Sequence, residues 1–113
     1  MQKTVSVVIT THNRPDYLKE SLAAVLKQTV PPKEVFVIDD GSSVSYEEVL
    51  SLFPAEHFTY IKTPVASGAN AARNLGIDKS SADIIAFLDD DDVWDVDYLE
   101  QHIAAHDSAD AVT

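Results

Sequence analysis

The sequence contains no cysteine, which removes disulfides, thiolate metal sites and thiol nucleophiles together. Its longest apolar runs are about five residues, far short of the ~20 that span a bilayer. No signal-peptide layout opens the chain, because Lys3 leads directly into Val5-Ser6-Val7-Val8-Ile9. Repeats, low-complexity tracts and linkers are also missing. These absences predict a reduced, soluble, cytoplasmic protein. The last quarter lacks bases altogether. Residues 83–113 hold ten acids and no Lys or Arg, whereas residues 1–82 are nearly balanced, with nine acids and eight bases. The net charge of -11 therefore belongs almost wholly to the C-terminal part. Nonspecific nucleic-acid binding depends on Lys and Arg and is not expected of such a chain. Metal ions and cationic partners remain open.

What is present fits one compact unit. At 113 residues and 45% hydrophobic, the chain has the length of a single domain and enough material for a core. Val5–Thr10 reads as a buried strand. Asn13-Arg14-Pro15 then opens a helix, with Asn13 as cap, and Leu18, Leu22, Val25 and Leu26 mark one face of it. Pro31-Pro32 is expected to end that helix. Val35–Ile38 is a second buried strand. Tyr46, Val49, Leu50 and Phe53 outline a short amphipathic helix, and the more polar Phe58–Ile61 suits a sheet edge. A helix over about 70–78 follows Ser67-Gly68. Ile84–Leu88 is the strongest strand, and the last helix spans Tyr98–His106, entered through Asp95 or Asp97. Ala111-Val112 reads as the opening of another strand, which suggests a piece of a longer protein. Strands separated by helices predict an α/β fold, a Rossmann-like open sheet of parallel strands covered on both faces.

Ligands of such sheets sit beyond the carboxyl ends of the strands. Three polar clusters directly follow buried strands: Thr10-Thr11-His12-Asn13, Asp39-Asp40-Gly41-Ser42 and Asp89-Asp90-Asp91-Asp92. In a parallel sheet all three share one rim. A run of acids is ordinarily a solvated loop, but Asp89–Asp92 is wedged between five apolar residues and Val93-Trp94. Two carboxylates ~6 Å apart repel by about 1 kcal/mol in water and ~3 kcal/mol at an effective dielectric of 20. A bound cation relieves that repulsion, and oxygen-only donors point to Mg²⁺ or Mn²⁺. An EF-hand is excluded, since its sixth position requires glycine and here is Trp94.

Asp39-Asp40-Gly41-Ser42 reads equally as an ordinary turn or as a carboxylate placed for a nucleobase N–H or a ribose hydroxyl. The segment Gly68 to Asn74 reads as a close helix–sheet contact with a surface Arg, or as a device presenting Arg73 to a base or phosphate. His102 and His106 have the i, i+4 spacing of a zinc pair but lack the Glu of a zincin helix, so a solvated or packing face is expected. Trp94 is expected to anchor the core.

Taken together, Val5 through Arg14, Val37-Ile38-Asp39-Asp40-Gly41-Ser42, Gly68 through Gly76 with its Ala72-Arg73-Asn74 core, and Phe87-Leu88-Asp89-Asp90-Asp91-Asp92 resemble the nucleotide-binding half of family 2 glycosyltransferases of the GT-A fold. The resemblance implies sheet order 3-2-1-4 and a nucleotide-diphosphate sugar donor, often UDP-linked, with inversion at the transferred sugar. It implies Thr10 and His12 at the base, where the family often has Tyr in place of His12. It further implies Asp40 on the uracil or ribose side, Arg73 at the base, and Asp89 and Asp90 holding ribose or metal-bound water. Asp91, with Asp89, would bind Mn²⁺ or Mg²⁺, and Asp92 would stand behind them. The acceptor would be a saccharide or a lipid-linked one. The family's general base lies in an acceptor-binding half that no segment here matches, so residues 1–113 would be the donor-binding portion, with membrane attachment only through other sequence. Two other readings compete. Asp89 through Val93 also fits the nucleophile loop of haloacid-dehalogenase-like phosphatases, although that loop normally ends the first strand. A non-catalytic nucleotide-binding or interaction module would instead dock a basic partner on the acidic loop.

Overall fold

The computed structural model describes residues 3–109, with side chains through residue 105. The strands are β1 (Val5–Thr11), β2 (Glu34–Asp39), β3 (Thr59–Lys62) and β4 (Ile84–Asp89). Among the described residues they form one parallel sheet in the order β3-β2-β1-β4. Helices α1 (Pro15–Leu26), α2 (Glu47–Leu50), α3 (Ala69–Lys79) and α4 (Tyr98–Ala109) connect and cover them, with a 3₁₀ turn at Ala55–His57. The expected class and strand order are both present.

Alternation along the strands divides the core. Val5, Val7 and Ile9 of β1 and Val35 and Val37 of β2 face one way, against Leu18, Leu22 and Val25 of α1 and Leu99 and Ile103 of α4. Val8, Phe36 and Ile38 face the other way, against Ala72 and Leu75 of α3. Layers therefore lie on both faces of β1 and β2. The α3 layer packs very close. A Cβ on Gly76 would stand 2.4 and 2.8 Å from the two methyl groups of Val8, which is fully buried. The helix gains about 1 kcal/mol in propensity from Gly76→Ala, but overpacking of this kind costs about 1–3 kcal/mol. We expect a net loss of up to about 2 kcal/mol in urea unfolding; a stabilised variant would contradict the close approach.

Several local expectations are corrected. Arg14, not Asn13, is the N-cap of α1, and no side chain caps it. Asn13 instead adopts a left-handed φ of 55° and spends its amide on Ser43 and His12. Helix α1 ends at Leu26, ahead of Pro31-Pro32. There the buried Gln28 donates to the carbonyls of Ala24 and Asp95 and accepts the N–H of Leu99, tying the end of α1 to the start of α4. The amphipathic stretch at 46–53 yields only one helical turn. β3 is an edge, as its polarity suggested. β4 is an edge too among the described residues, with Leu88 buried but Phe87 42% exposed. Its apolar run had suggested burial on both faces; α3 packs over β1 and β2 and leaves Phe87 uncovered. α4 runs to Ala109, beyond the expected end at His106, and Ala111-Val112 lie outside the described residues. No helix among the described residues is long and apolar enough to cross a membrane.

Candidate nucleotide and metal site

Strand register places the three polar clusters together. Thr10 pairs with Asp89 across β1 and β4, and Thr11 pairs with Asp39 across β1 and β2. Each cluster therefore begins at the same level of the sheet, on its carboxyl rim. A cavity of about 290 Å³ opens there. Thr10, His12, Asp40, Arg73, Asp89 and Asp90 all line it. These are the six residues that the family resemblance assigned to a nucleotide. Thr11 and Arg14 line it as well.

The β2 wall is a turn that places Asp40 on the cavity. Gly41 has φ 62°, and its N–H bonds the Asp39 carbonyl. Asp39 Oδ1 accepts the Ser42 N–H at 3.0 Å, and Tyr60 donates its hydroxyl to Oδ2. Burial first, and then that carboxylate, push the Tyr60 phenol well above its ordinary pKa, so it remains a donor. Asp40 accepts the backbone N–H groups of Ser67 and Gly68 at 2.8 and 2.9 Å, one on each oxygen. This draws the 63–68 segment over the cavity's edge, and a carboxylate retains further lone pairs for a ligand. His12 is fixed in one tautomer. Its Nδ1 lies 2.7 Å from the Asp40 carbonyl, which can only accept, so Nδ1 carries the proton and Nε2 faces the Asn13 amide at 3.3 Å.

The acidic loop closes as a turn, with the Asp92 N–H on the Asp89 carbonyl at 3.0 Å. Asp90 points inward and is 1% exposed. Its Oδ2 accepts the Thr11 hydroxyl at 2.8 Å and its Oδ1 the Arg14 guanidinium at 2.5 Å. Asp89, Asp91 and Asp92 point outward, and their carboxylate oxygens lie within 4.8 Å of one another. Arg73 reaches Asp89 at 3.1 Å, while Thr10 donates to the same oxygen at 3.2 Å. The chain's two arginines thus both land on this loop. Four carboxylates against two guanidiniums leave a formal charge of about -2, which a divalent cation would match. Hard oxygen donors at this spacing fit Mg²⁺ or Mn²⁺.

The sequence did not reveal the support behind this loop. Tyr46 was read only as an apolar helix residue, yet its hydroxyl lies 2.7 Å from Thr11 Oγ1 and accepts the Arg14 N–H at 3.0 Å. Arg14 belonged to a matching segment without a role of its own. Of the histidine pair, His102 lies apart from the site, and the His106 side chain lies outside the described residues. His102 stacks on Tyr98 (4.1 Å between centroids), which stacks on Trp94 (4.3 Å) against the core.

A parallel 3-2-1-4 sheet with this acidic turn at the end of β4 is the sheet of the GT-A fold, and the chain belongs to glycosyl transferase family 2, whose family model matches residues 6–113. Among its relatives, the uncharacterized glycosyltransferase YwdF of Bacillus subtilis (strain 168) is 34% identical over 96% of this chain. The UDP-Glc:alpha-D-GlcNAc-diphosphoundecaprenol beta-1,3-glucosyltransferase WfgD of Escherichia coli is 34% identical over 88% of it. The chain spans 40% of the length of each. S. aureus TarS 1-349 in complex with UDP-GlcNAc superposes with a TM-score of 0.84 at 25% identity, covering 93% of this chain and 31% of TarS 1-349. The mannosyltransferase PcManGT from Pyrobaculum calidifontis, solved with GDP-Man and Mn²⁺, gives 0.75 at 22% identity over 83% of this chain and 29% of its own, a likeness of fold alone.

Proposed function

We propose that residues 1–113 are the donor-binding portion of a metal-dependent, inverting glycosyltransferase that takes a sugar from a nucleoside diphosphate, UDP in the first instance. The observation carrying this reading is the rim cavity, where Thr10, His12, Asp40, Arg73, Asp89 and Asp90 converge beside the acidic turn. Thr10 and the His12 ring border the base, and Asp40 takes a base N–H or ribose hydroxyl. Arg73, steadied by Asp89, offers its remaining N–H groups to base or phosphate. Asp91 and Asp89 would hold Mn²⁺ or Mg²⁺, with Asp92 adjoining them. When bound, the cation supplies neutralisation of the charge that grows on the departing diphosphate.

The chain's own residues orient the donor and fix its reacting bond, which is the entropic part of catalysis. A general base must take the proton of the acceptor hydroxyl, and we place it outside residues 1–113. WfgD's name, with its diphosphoundecaprenol acceptor, supports a lipid-linked or saccharide acceptor here, and that of the putative teichuronic acid biosynthesis glycosyltransferase TuaG of Bacillus subtilis (strain 168) supports a part in cell-wall or polysaccharide synthesis. Inversion rests on the family resemblance. None of the relatives reported above is a phosphatase, and Asp89 ends β4 rather than the first strand. A generic phosphate ester should therefore not be hydrolysed with Mg²⁺.

Thermal melting with UDP, GDP and TDP, each with and without Mn²⁺, tests the reading. A melting shift with UDP that needs Mn²⁺ is expected. If all three nucleotides leave the melt unchanged in the presence of metal, the proposal is wrong.

A further inference from the structure

An acidic turn presents converging carboxylates only if something prevents the turn from rotating. Asp90 does this by facing inward from the second position of the turn while its neighbours face out. A buried carboxylate is tolerable only when its charge is paired and its oxygens are bonded, and both conditions are met from outside the loop. Arg14 meets Oδ1 at 2.5 Å and Thr11 meets Oδ2 at 2.8 Å.

The hydrogen bonds also have a direction. Thr11 has a single proton, and the ionised Asp90 can only accept it. The Tyr46 hydroxyl must therefore donate to Thr11 Oγ1, and its lone pair receives the Arg14 backbone N–H. Two donor paths thus run from Arg14 to Asp90: its backbone N–H to Tyr46, Tyr46 to Thr11 and Thr11 to Asp90, and its guanidinium directly to Asp90. The guanidinium is held from another side by the Tyr17 ring, 5.3 Å from its carbon, and stands 4.0 Å from Asp91 Oδ2.

We propose that Arg14, with Tyr46 and Thr11, is a positioning device that locks Asp90 inward and so sets Asp89, Asp91 and Asp92 at the separation a divalent cation needs. This rests on the reading of the acidic turn as a metal site, and it extends that site to α2, which contributes no ligand. Arg14 is a positioning residue in this account and touches neither metal nor sugar. The prediction has an unusual sign. By Coulomb's law alone, removing a positive charge 4.0 Å from Asp91 should strengthen cation binding. If the charge serves to hold the turn, its removal weakens binding instead.

The test is titration of Mn²⁺ into the chain at saturating UDP, with free Mn²⁺ read by electron paramagnetic resonance. Melting of each variant is recorded without metal. Arg14→Gln is expected to weaken Mn²⁺ about 10-fold or more, within the range seen when partners behind a metal ligand are removed. Tyr46→Phe deletes only the hydroxyl and is expected to weaken Mn²⁺ several-fold in a folded chain, which keeps the test valid should Arg14→Gln unfold. Thr11→Ser retains the hydroxyl and should bind as the parent does. In the Arg14→Gln and Tyr46→Phe double variant the losses should not add, because both act through Asp90. Unchanged or tighter Mn²⁺ binding in folded Arg14→Gln and Tyr46→Phe overturns the positioning role while leaving the metal site intact. Failure of the parent chain to bind Mn²⁺ with UDP overturns the functional reading itself, and this inference with it.

Discussion

Asp91→Ala is expected to abolish the Mn²⁺ dependence of UDP binding, with a loss of more than about 100-fold in metal affinity, while the metal-free melt stays nearly constant. The asymmetry follows from where the carboxylate stands. Asp91 is 53% exposed, and its ion pair with Arg14 is long at 4.0 Å. An exposed pair of that kind contributes about 0–1 kcal/mol to folding. For a cation the same carboxylate is one of three oxygen donors within 4.8 Å, and two cannot replace three at equal affinity. His102→Ala is the matched control. That ring stacks on Tyr98 and lines neither the rim cavity nor the acidic turn, so its loss should leave the metal dependence intact. Metal affinity surviving Asp91→Ala would move the site off this turn.

Gly41→Ala should produce the largest loss of stability, and it should carry function with it. Residue 41 sits at φ 62°, a region that costs roughly 1–2 kcal/mol for a residue with a Cβ. Space is the greater obstacle. The added Cβ would lie 2.3 Å from the Ala66 nitrogen, 2.5 Å from the Val65 carbonyl carbon and 2.9 Å from the Ala66 Cα, all backbone. Backbone cannot rotate out of the way as a side chain can, so the 63–68 segment must shift. That segment brings the Ser67 and Gly68 N–H groups to Asp40. Losing two charge-assisted bonds to a buried carboxylate adds to the strain, and a total of about 3 kcal/mol or more is expected in urea unfolding. UDP affinity should fall as well, since Asp40 would lose its orientation. A variant within about 0.5 kcal/mol of the parent would contradict the close packing of these two loops.

The parts of this molecule that follow from periodicity were legible in its residues. Apolar strands with polar clusters at their ends located the rim, and five residues of those clusters, with Arg73, line one cavity, the six that the family resemblance had assigned to a nucleotide. In the Asp39–Ser42 segment the expected turn is present, made by Gly41, and the Asp40 carboxylate stands on the cavity wall. In α3 Gly76 makes the expected close approach, to Val8, while Arg73 reaches Asp89. What stayed hidden involves partners distant in sequence. Tyr46 and Thr11 are 35 residues apart, and Arg14 and Asp90 are 76 apart. Nothing in the local pattern of Tyr46 distinguishes a ring that fills space from one whose hydroxyl joins Arg14 to Thr11. The run Asp89–Asp92 likewise does not reveal that one of its four members turns inward. The sheet was expected to be covered on both faces, but exposure depends on which neighbours reach a strand, and α3 packs mainly over β1 and β2 while Phe87 stays 42% exposed.

The central claim is that a nucleoside diphosphate and a divalent cation meet at the rim formed by β1, β2 and β4. Paramagnetic broadening of the amide resonances by substoichiometric Mn²⁺, recorded with and without UDP, addresses it residue by residue. The account predicts UDP-enhanced broadening centred on Asp89–Asp92 and extending to Thr10, His12 and Arg73, with His57 and Lys79 unaffected. Broadening that is indifferent to UDP, or centred on another acidic stretch such as Glu47-Glu48, would contradict it.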